Sequence, residues 1–485
     1  MRIDPRRFAR EGWALLAAMS PGPGDLVAWG PMWRYRATLP ALGLAAARRA
    51  GSGVVLIDDR GPLTGVELEA AVWDLVAQIR GQVQSGPPGR APLIALRCGA
   101  HRGFLAAVIA AGVLGLDVLL LPTSTGTEQE REVLRQRPVQ LVLTDGQVLS
   151  AFQARPPRNR PRRPPRPRRP GRLLLLTSGT TGTPQVTTRA GVAGRQLPTV
   201  LSLLAALDLR RGEPVLLAPP LAHGHGLSVL AAALIIGAPP ILVHGQRPAT
   251  WMGLARRHRA SALLAVPAQL AGLIEYLDEQ PGTQIAALRR IAAGSAPLPQ
   301  ALAARIIDVW GPVLVDYYGT SEAGTATIAT SADLVAAPGT VGRAANGVAL
   351  SITDEHGRRC APGQVGRIGI SSPWRAADSG HLVSTGDVGY LDETGRLFVL
   401  HRADDVVVVG GHNVHVGEVR EWFEAQPDVE AATVHPVPDP VLGTRLEVEF
   451  TGTADTGELL RRARRELGSA AAPRQVRHTD TAPEY

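Results

Sequence analysis

Four stretches of this chain carry residue types that can do chemistry on a charged ligand. Thr177-Ser178-Gly179-Thr180-Thr181-Gly182-Thr183-Pro184 follows the leucines Leu173 to Leu176. Such an apolar run reads as a buried strand, and hydroxyls and glycines at its end offer O–H and N–H donors to an anion, most often a phosphate. Tyr317-Tyr318-Gly319-Thr320-Ser321-Glu322 follows the strand-like 313–315. Further on come Ser384-Thr385-Gly386-Asp387, then Arg402-Ala403-Asp404-Asp405 with Gly410-Gly411 and Glu418. Taken singly, each has an ordinary explanation. Ser/Thr/Gly clusters are usually turns. Asp387 reads as a turn residue, Glu322 as a solvated or helix-capping carboxylate, and Asp404-Asp405 as a solvated loop. His223-Gly224-His225 offers two imidazoles, but no Cys or carboxylate stands at ligand spacing, which argues against a metal centre. The first stretch also lacks the Gly-Lys-Ser/Thr ending of a P-loop, since Thr183-Pro184-Gln185 follows Gly182.

Strands and helices must alternate to position these stretches. Apolar runs at 54–57, 93–96, 118–121, 141–143, 173–176, 215–217 and 241–243 read as strands, with helices over 67–79 and 103–114 between them. That order predicts an α/β fold with largely parallel sheets, in which ligands sit at the carboxyl ends of strands, where the Thr177 loop lies. Around 340–370 short alternating strands with Gly and Asp turns predict a small β unit. Beyond 402 come a strand at 406–409, a Gly-Gly turn, a helix near 416–425 and strands near 432–435 and 446–450. A domain joint is expected near 402–404.

The 485 residues suffice for a large core in two or more domains. Hydrophobic residues make up 45% and charged ones 19%, as in ordinary globular proteins. All 51 basic residues are arginine, because the sequence contains no lysine. Genome bias accounts for that on the surface, but it supplies no ammonium where chemistry needs one. Much of the net charge of +8 lies within 152–172, where arginine alternates with proline. Proline excludes helix and sheet there, which predicts an extended, solvated linker. No aromatic residue interleaves with these arginines, so nucleic acid is not an expected partner. Cys98 and Cys360 stand far apart and without partners at metal spacing, which points to a reducing compartment and no disulfide framework. The apolar N-terminal stretch is too short and interrupted for a signal peptide. It reads as a docked helix, with weak membrane-surface contact as the alternative. The apolar window 104–122 divides into a helix and a strand, so no transmembrane span is expected. A cytoplasmic protein is the expectation.

The four stretches, in this order, resemble the motifs of the adenylate-forming superfamily of acyl-CoA synthetases, adenylation domains and luciferases, and most nearly bacterial fatty-acid–CoA ligases. Pro220-Leu221-Ala222-His223-Gly224-His225-Gly226, Gly294-Ser295-Ala296-Pro297-Leu298, Pro338-Gly339-Thr340-Val341-Gly342-Arg343 and Pro438-Asp439 with Gly443 extend the resemblance over most of the chain. It implies an AMP-binding domain over 1–402 and a small mobile lid over 403–485. It also implies a two-step reaction in which a carboxylate attacks ATP to give acyl-AMP, and a thiol, normally that of coenzyme A, then expels AMP. In that scheme Thr177, Ser178, Gly179, Thr180, Thr181 and Gly182 wrap the β and γ phosphates, and Glu322 holds Mg²⁺. Tyr318, with Gly319 and Thr320 beside it, lies against the adenine. Gly294, Ser295 and Ala296 pass alongside the base. Asp387 accepts both ribose hydroxyls, and Arg402 steadies the phosphate or ribose side. His223 sits between acid and phosphate, Asp404 is the hinge, and Gly410-Gly411 line the pantetheine channel.

The resemblance also shows departures. The phosphate loop's usual lysine is Gln185. The family's closing Leu-Pro-x-Thr-x-x-Gly-Lys segment is matched only as far as Ala482-Pro483, so its catalytic lysine is expected to be missing and adenylation weakened. If that contact stabilised the transition state by roughly 3 kcal/mol, the first step would slow about a hundredfold, and arginine's planar fork is no substitute for an ammonium. His401 replaces the usual Gly before Arg402, and Val416 the usual Pro. The expected activity is an ATP-dependent acyl-CoA ligase for a fatty or similar apolar acid. The alternatives are a non-catalytic relative that binds nucleotide or acyl-AMP, and an adenylating enzyme that loads a carrier protein.

Overall fold

The computed structural model describes residues 3–19, 30–35, 38–84, 91–123, 125, 127–153, 167, 169–177, 185–189, 196–243, 245, 247–282, 285, 288–320, 323–373, 382–403, 406–409, 412–439 and 443–479. The chain is a mixed α/β protein and divides into two compact units, Ile3–Ser295 with Trp310–Val315, and Ala296–Val309 with Asp316–Tyr485.

The first unit contains a sheet in the order Val142–Thr144, Leu93–Arg97, Asp117–Leu121, Leu173–Thr177, Gln185–Arg189. Its first four strands are parallel, and the last turns back antiparallel. A second run of strands has the order Arg290–Gly294, Ala262–Ala265, Val215–Leu217, Pro240–Leu242, Val54–Asp58, Gly61–Thr64, parallel except for its terminal hairpin. The helix Arg102–Leu114 touches Asp117–Leu121 of one sheet and Val54–Asp58 of the other. Contact on two sides explains why it is apolar all round without spanning a membrane. Among the described residues no helix is long and apolar enough to cross one. The helix Gly65–Gln82 starts with a capping box, in which Thr64 and Glu67 each bond the other's backbone N–H. The N-terminal helix Pro5–Met19 packs on Leu197–Leu207. Its buried Glu11 accepts 2.9 Å hydrogen bonds from Ser202 and pairs with Arg7 at 2.8 Å.

The linker expectation needs one correction. At the described end of the arginine-proline stretch, Arg169 and Arg172 bind the buried Asp117 carboxylate at 3.1 and 2.8 Å. Burial of Asp117 requires partners for its charge, so this end is anchored rather than solvated.

The second unit carries antiparallel strands in the order Ala349–Thr353, Gly366–Ser371, Val383–Leu391, Arg396–Arg402, Thr340–Ala344, Gly324–Thr330, followed by the strand that runs from Asp316 to Thr320. After them come the hairpin Val406–Val409/His412–His415 and the helix Val416–Glu424. A sheet of Val429–Asp439, Gly443–Gly452 and Gln475–His478 follows, with the helix Thr456–Glu466. Val419, Phe423, Leu446, Val448, Phe450 and Leu459 form a core of their own there.

Candidate functional site

Two groups of the motif residues assemble, one in each unit. In the second unit Asp387 lies inside the strand Val383–Leu391, not in the turn that Thr-Gly-Asp suggests. Alternation along the strand places Thr385 and Asp387 on one buried face. Arg402 stands opposite Asp387 in the register of the neighbouring strand, with its Nη1 3.4 Å from Asp387 Oδ1. The Tyr318 hydroxyl donates to Asp387 Oδ2. Burial, reinforced by the Asp387 charge, pushes the Tyr318 phenol up, so it remains a donor. Thr385 Oγ1 accepts the Asp387 N–H at 3.0 Å and donates to the Ile368 carbonyl at 3.1 Å, fixing the backbone on which the carboxylate sits. Each carboxylate oxygen carries two lone pairs. Two carboxylate oxygens side by side can accept from both hydroxyls of a vicinal diol, here beside the aromatic face of Tyr318.

Tyr317, Tyr318, Gly319 and Thr320 continue the strand Leu314–Thr320. Thr320 Oγ1 accepts the Ala323 N–H at 3.1 Å and so holds the turn that follows. Asp316, earlier in this strand, is buried with Oδ1 lacking any hydrogen-bond partner. Burial raises its carboxyl to about 7.

In the first unit His223 precedes the helix Gly224–Ile236. Its pKa is lowered by burial, so the ring is neutral at pH 7. A Cβ on Gly226 would lie 2.2 Å from the Pro220 carbonyl oxygen, so glycine there lets the first helical turn fold onto the preceding segment. His225 is pushed down to about 4 by burial, with a backbone hydrogen bond to Gly294 opposing. Its Nδ1 lies 2.7 Å from the hydroxyl of Ser295. Ser295 has φ +72° just past the strand Arg290–Gly294, a left-handed conformation that side chains rarely adopt and that marks constrained backbone. Ala296 follows it. Sequence reasoning named His223 and Ser295 separately and missed His225 as the partner of Ser295. The His-x-His spacing was the available signal.

Thr177 ends its strand paired with Gln185 of the antiparallel strand Gln185–Arg189, and Ser178, Gly179, Thr180, Thr181 and Gly182 lie outside the described residues. Glu322, Asp404, Gly410 and Gly411 also lie outside them.

Cys98 has side-chain neighbours that its sequence spacing does not show. Its Sγ lies 3.4 Å from His101 Nε2, which is 2.7 Å from Asp145 Oδ1. The fold brings Asp145, 44 positions away from His101, to the start of the helix Arg102–Leu114. Gly103 N–H donates to His101 Nδ1 at 3.0 Å, so the ring proton sits on Nε2 and is given to Asp145. Burial first, then Asp145, pushes the Cys98 thiol up and keeps it protonated. The three side chains make a capping cluster, with no lone pair on Nε2 to offer a metal.

A layered α/β chain with a sequence rich in hydroxyls and glycines after a parallel strand, and a Tyr-Asp-Arg cluster suited to a ribose, has the makings of a nucleotide-binding enzyme. Residues 105–377 match the AMP-binding enzyme family, and the chain belongs to it. It is 28% identical over 319 residues to the uncharacterized acyl–CoA ligase YhfT of Bacillus subtilis, covering 64% of each chain. It is 27% identical over 338 residues to the medium/long-chain-fatty-acid–CoA ligase FadD8 of Mycobacterium tuberculosis, covering 64% of this chain and 58% of that one. The chain thus matches less than two thirds of the length of these relatives. In three dimensions it is similar to o-succinylbenzoate CoA synthetase (MenE) from Bacillus subtilis, solved in complex with the acyl-adenylate intermediate OSB-AMP. The TM-score is 0.73 at 22% identity, with 91% of this chain and 95% of that chain covered.

Proposed function

We propose that this protein is an ATP-dependent acid–thiol ligase that activates a fatty or similar apolar carboxylic acid as its acyl-adenylate and passes the acyl group to coenzyme A. The observation that carries the reading is the Tyr318-Asp387-Arg402 cluster within an AMP-binding family chain.

In the first step a carboxylate oxygen of the acid attacks the α-phosphorus of ATP, and pyrophosphate leaves with the electrons of the broken P–O bond. In the second the thiol sulfur attacks the acyl carbon and AMP leaves. Asp387 takes the ribose hydroxyls, and Tyr318 lines the adenine with Gly319, Thr320, Gly294, Ser295 and Ala296. Arg402, paired with Asp387, sets a positive charge on the ribose-phosphate side. His223, uncharged at pH 7, donates to the acid without neutralising it. The hairpin from Thr177 to Gly182 holds the β and γ phosphates. Mg²⁺, with Glu322 as its carboxylate, offsets phosphate charge when bound. Gly410 and Gly411 border the pantetheine arm, and Asp404 is the hinge of a lid over 403–485. The apolar acid is supported by the name of FadD8 and by the largely buried apolar helix Gly224–Ile236. MenE, bound to a succinylbenzoyl adenylate, marks aromatic acids as the competing class. A cytoplasmic location fits these substrates. Trp13 and Leu16, exposed on the helix Pro5–Met19, are the side chains for contact with a membrane surface carrying the acid.

The test is pyrophosphate release from ATP and Mg²⁺ with a panel of saturated fatty acids and aromatic acids, followed by AMP release on adding coenzyme A. Release with the fatty acids in preference to the aromatic ones is expected. AMP release that needs a carrier protein would move the acceptor. Silence across the panel with AMP binding retained would make the protein a binding relative. Silence with no ATP or AMP bound would overturn the reading.

A further inference from the structure

At the carboxyl end of the strand Arg396–Arg402, two imidazoles and a carboxylate converge outside the residues given roles above. A nitrogen of His401, a nitrogen of His415 and a carboxylate oxygen of Glu418 lie within 4.8 Å of one another. His401 Nε2 is 3.9 Å from Glu418 Oε1, and the two rings are tilted at 5.4 Å between centroids.

Three features prepare this group for a cation. First, His401 Nδ1 is 3.1 Å from the backbone carbonyl of Arg402. A carbonyl can only accept, so Nδ1 carries a proton, and Nε2, on the Glu418 side, is the nitrogen left to face a metal. A backbone carbonyl holding the far N–H of an imidazole is the usual second layer of support for a metal-bound histidine. The contrast with His101 is direct, since its proton lies on the nitrogen that faces Asp145. Second, His415 Nδ1 is buried and has no hydrogen-bond partner. An unsatisfied buried polar atom costs about 1–3 kcal/mol. Ligation through Nδ1, or through Nε2 with its proton moved to Nδ1, would change the state of this ring. Third, the approach is built into the backbone. A Cβ on Gly417 would lie 2.4 Å from His401 Cβ, so only glycine lets the start of the helix Val416–Glu424 press against the strand and bring Glu418 alongside His401. Glu421, one turn further on, adds negative potential at His401. Its carboxyl, raised by burial, lies within electrostatic reach of the His401 ring.

We propose that His401, His415 and Glu418 bind one divalent transition-metal ion of the Zn²⁺ class, with solvent completing the coordination. Two imidazoles and a carboxylate are a zinc donor set, unlike the all-oxygen sets that magnesium takes. The His401 side chain is 10% exposed and that of Glu418 61% exposed, so the ion enters from the Glu418 side and needs only a rotation of that side chain to close on it.

The test uses the full chain without an affinity tag, stripped with a chelator and titrated calorimetrically with Zn²⁺, then with Co²⁺ followed by visible absorption. One ion per chain is expected. His401→Ala, and separately the fold-neutral exposed change Glu418→Gln, should each weaken binding at least about tenfold, and Cys98→Ser should leave it unchanged. Far-UV circular dichroism checks that the variants fold. Unchanged affinity in folded Glu418→Gln and His401→Ala, loss of binding in Cys98→Ser, or no Zn²⁺ bound at roughly 0.1 mM would each overturn the proposal. Failure here leaves the ligase reading untouched, because the readout is Zn²⁺ affinity without nucleotide.

Discussion

Asp316 and Asp387 stand either side of Tyr318, one two residues before it in the same strand, the other bonded to its hydroxyl. They are built in opposite ways. Asp387 has Tyr318 on one oxygen, Arg402 near the other and Thr385 bracing its backbone. Asp316 has an oxygen with no partner and a carboxyl raised by burial to about 7. Both residues are buried, and what differs between them is their partners. A carboxylate meant to grip a ligand is supplied with donors that hold it in place while leaving lone pairs over. One that only fills a strand position holds its proton up to a pH of about 7.

A stability measurement tests the neutral side of this contrast. The folded pKa of Asp316, about 7, lies above its ordinary 3.8, so between those values the folded chain holds a proton that the unfolded chain has lost. Stability therefore falls as pH rises from near 4 to near 7, and the full cost is present above pH 7. Asp316→Asn mimics the protonated form. It should raise unfolding free energy at pH 8 by on the order of 4 kcal/mol at most, with the gain vanishing towards pH 4. Urea denaturation at the two pH values measures this. An equal gain at both would show that Asp316 is not the titrating group.

The charged side is tested by Asp387→Ala. Two charge-assisted hydrogen bonds to a diol are lost, each worth roughly 1.5–3 kcal/mol, and AMP affinity measured by calorimetry should fall about a hundredfold or more. Retained affinity would remove Asp387 from the nucleotide site and the comparison with it.

Why one half of this contrast was legible in the sequence and the other was not has a physical answer. Strands such as Leu173–Thr177 and Val215–Leu217 and the helix Arg102–Leu114 announce themselves because burial on both sides leaves unbroken apolar runs. Asp387 is legible through its motif, but the strand that carries it is not, because the inward positions of that strand are Thr385, Asp387 and Gly389, not apolar residues. Hydrophobic alternation cannot reveal a strand whose inner face is polar. Asp316 carried no signal at all, since an unpartnered buried carboxylate looks like any other aspartate in a sequence. The Cys98-His101-Asp145 cluster was missed for a related reason. Cys98 and His101 stand three positions apart, but Asp145 reaches them only through the parallel pairing of Leu93–Arg97 with Val142–Thr144. The same holds for His401 and Glu418, which only the close approach at Gly417 brings together.

The smallest effect separates holding from gripping. Tyr318→Phe removes the hydroxyl that donates to Asp387 Oδ2 and keeps the ring that faces the ligand. A hydrogen bond to a charged group is lost, so stability should fall by about 1.5 kcal/mol, measured by urea denaturation at pH 7.5. AMP affinity should move by no more than about threefold, because ribose hydroxyls can occupy the lone pair that Tyr318 vacates and Arg402 still neutralises the other oxygen. A loss of affinity as large as that of Asp387→Ala would mean that the phenol itself bonds the nucleotide. In that case Asp387 is positioned for Tyr318 rather than the reverse, and the division between a held carboxylate and a gripping one would have to be redrawn around the tyrosine.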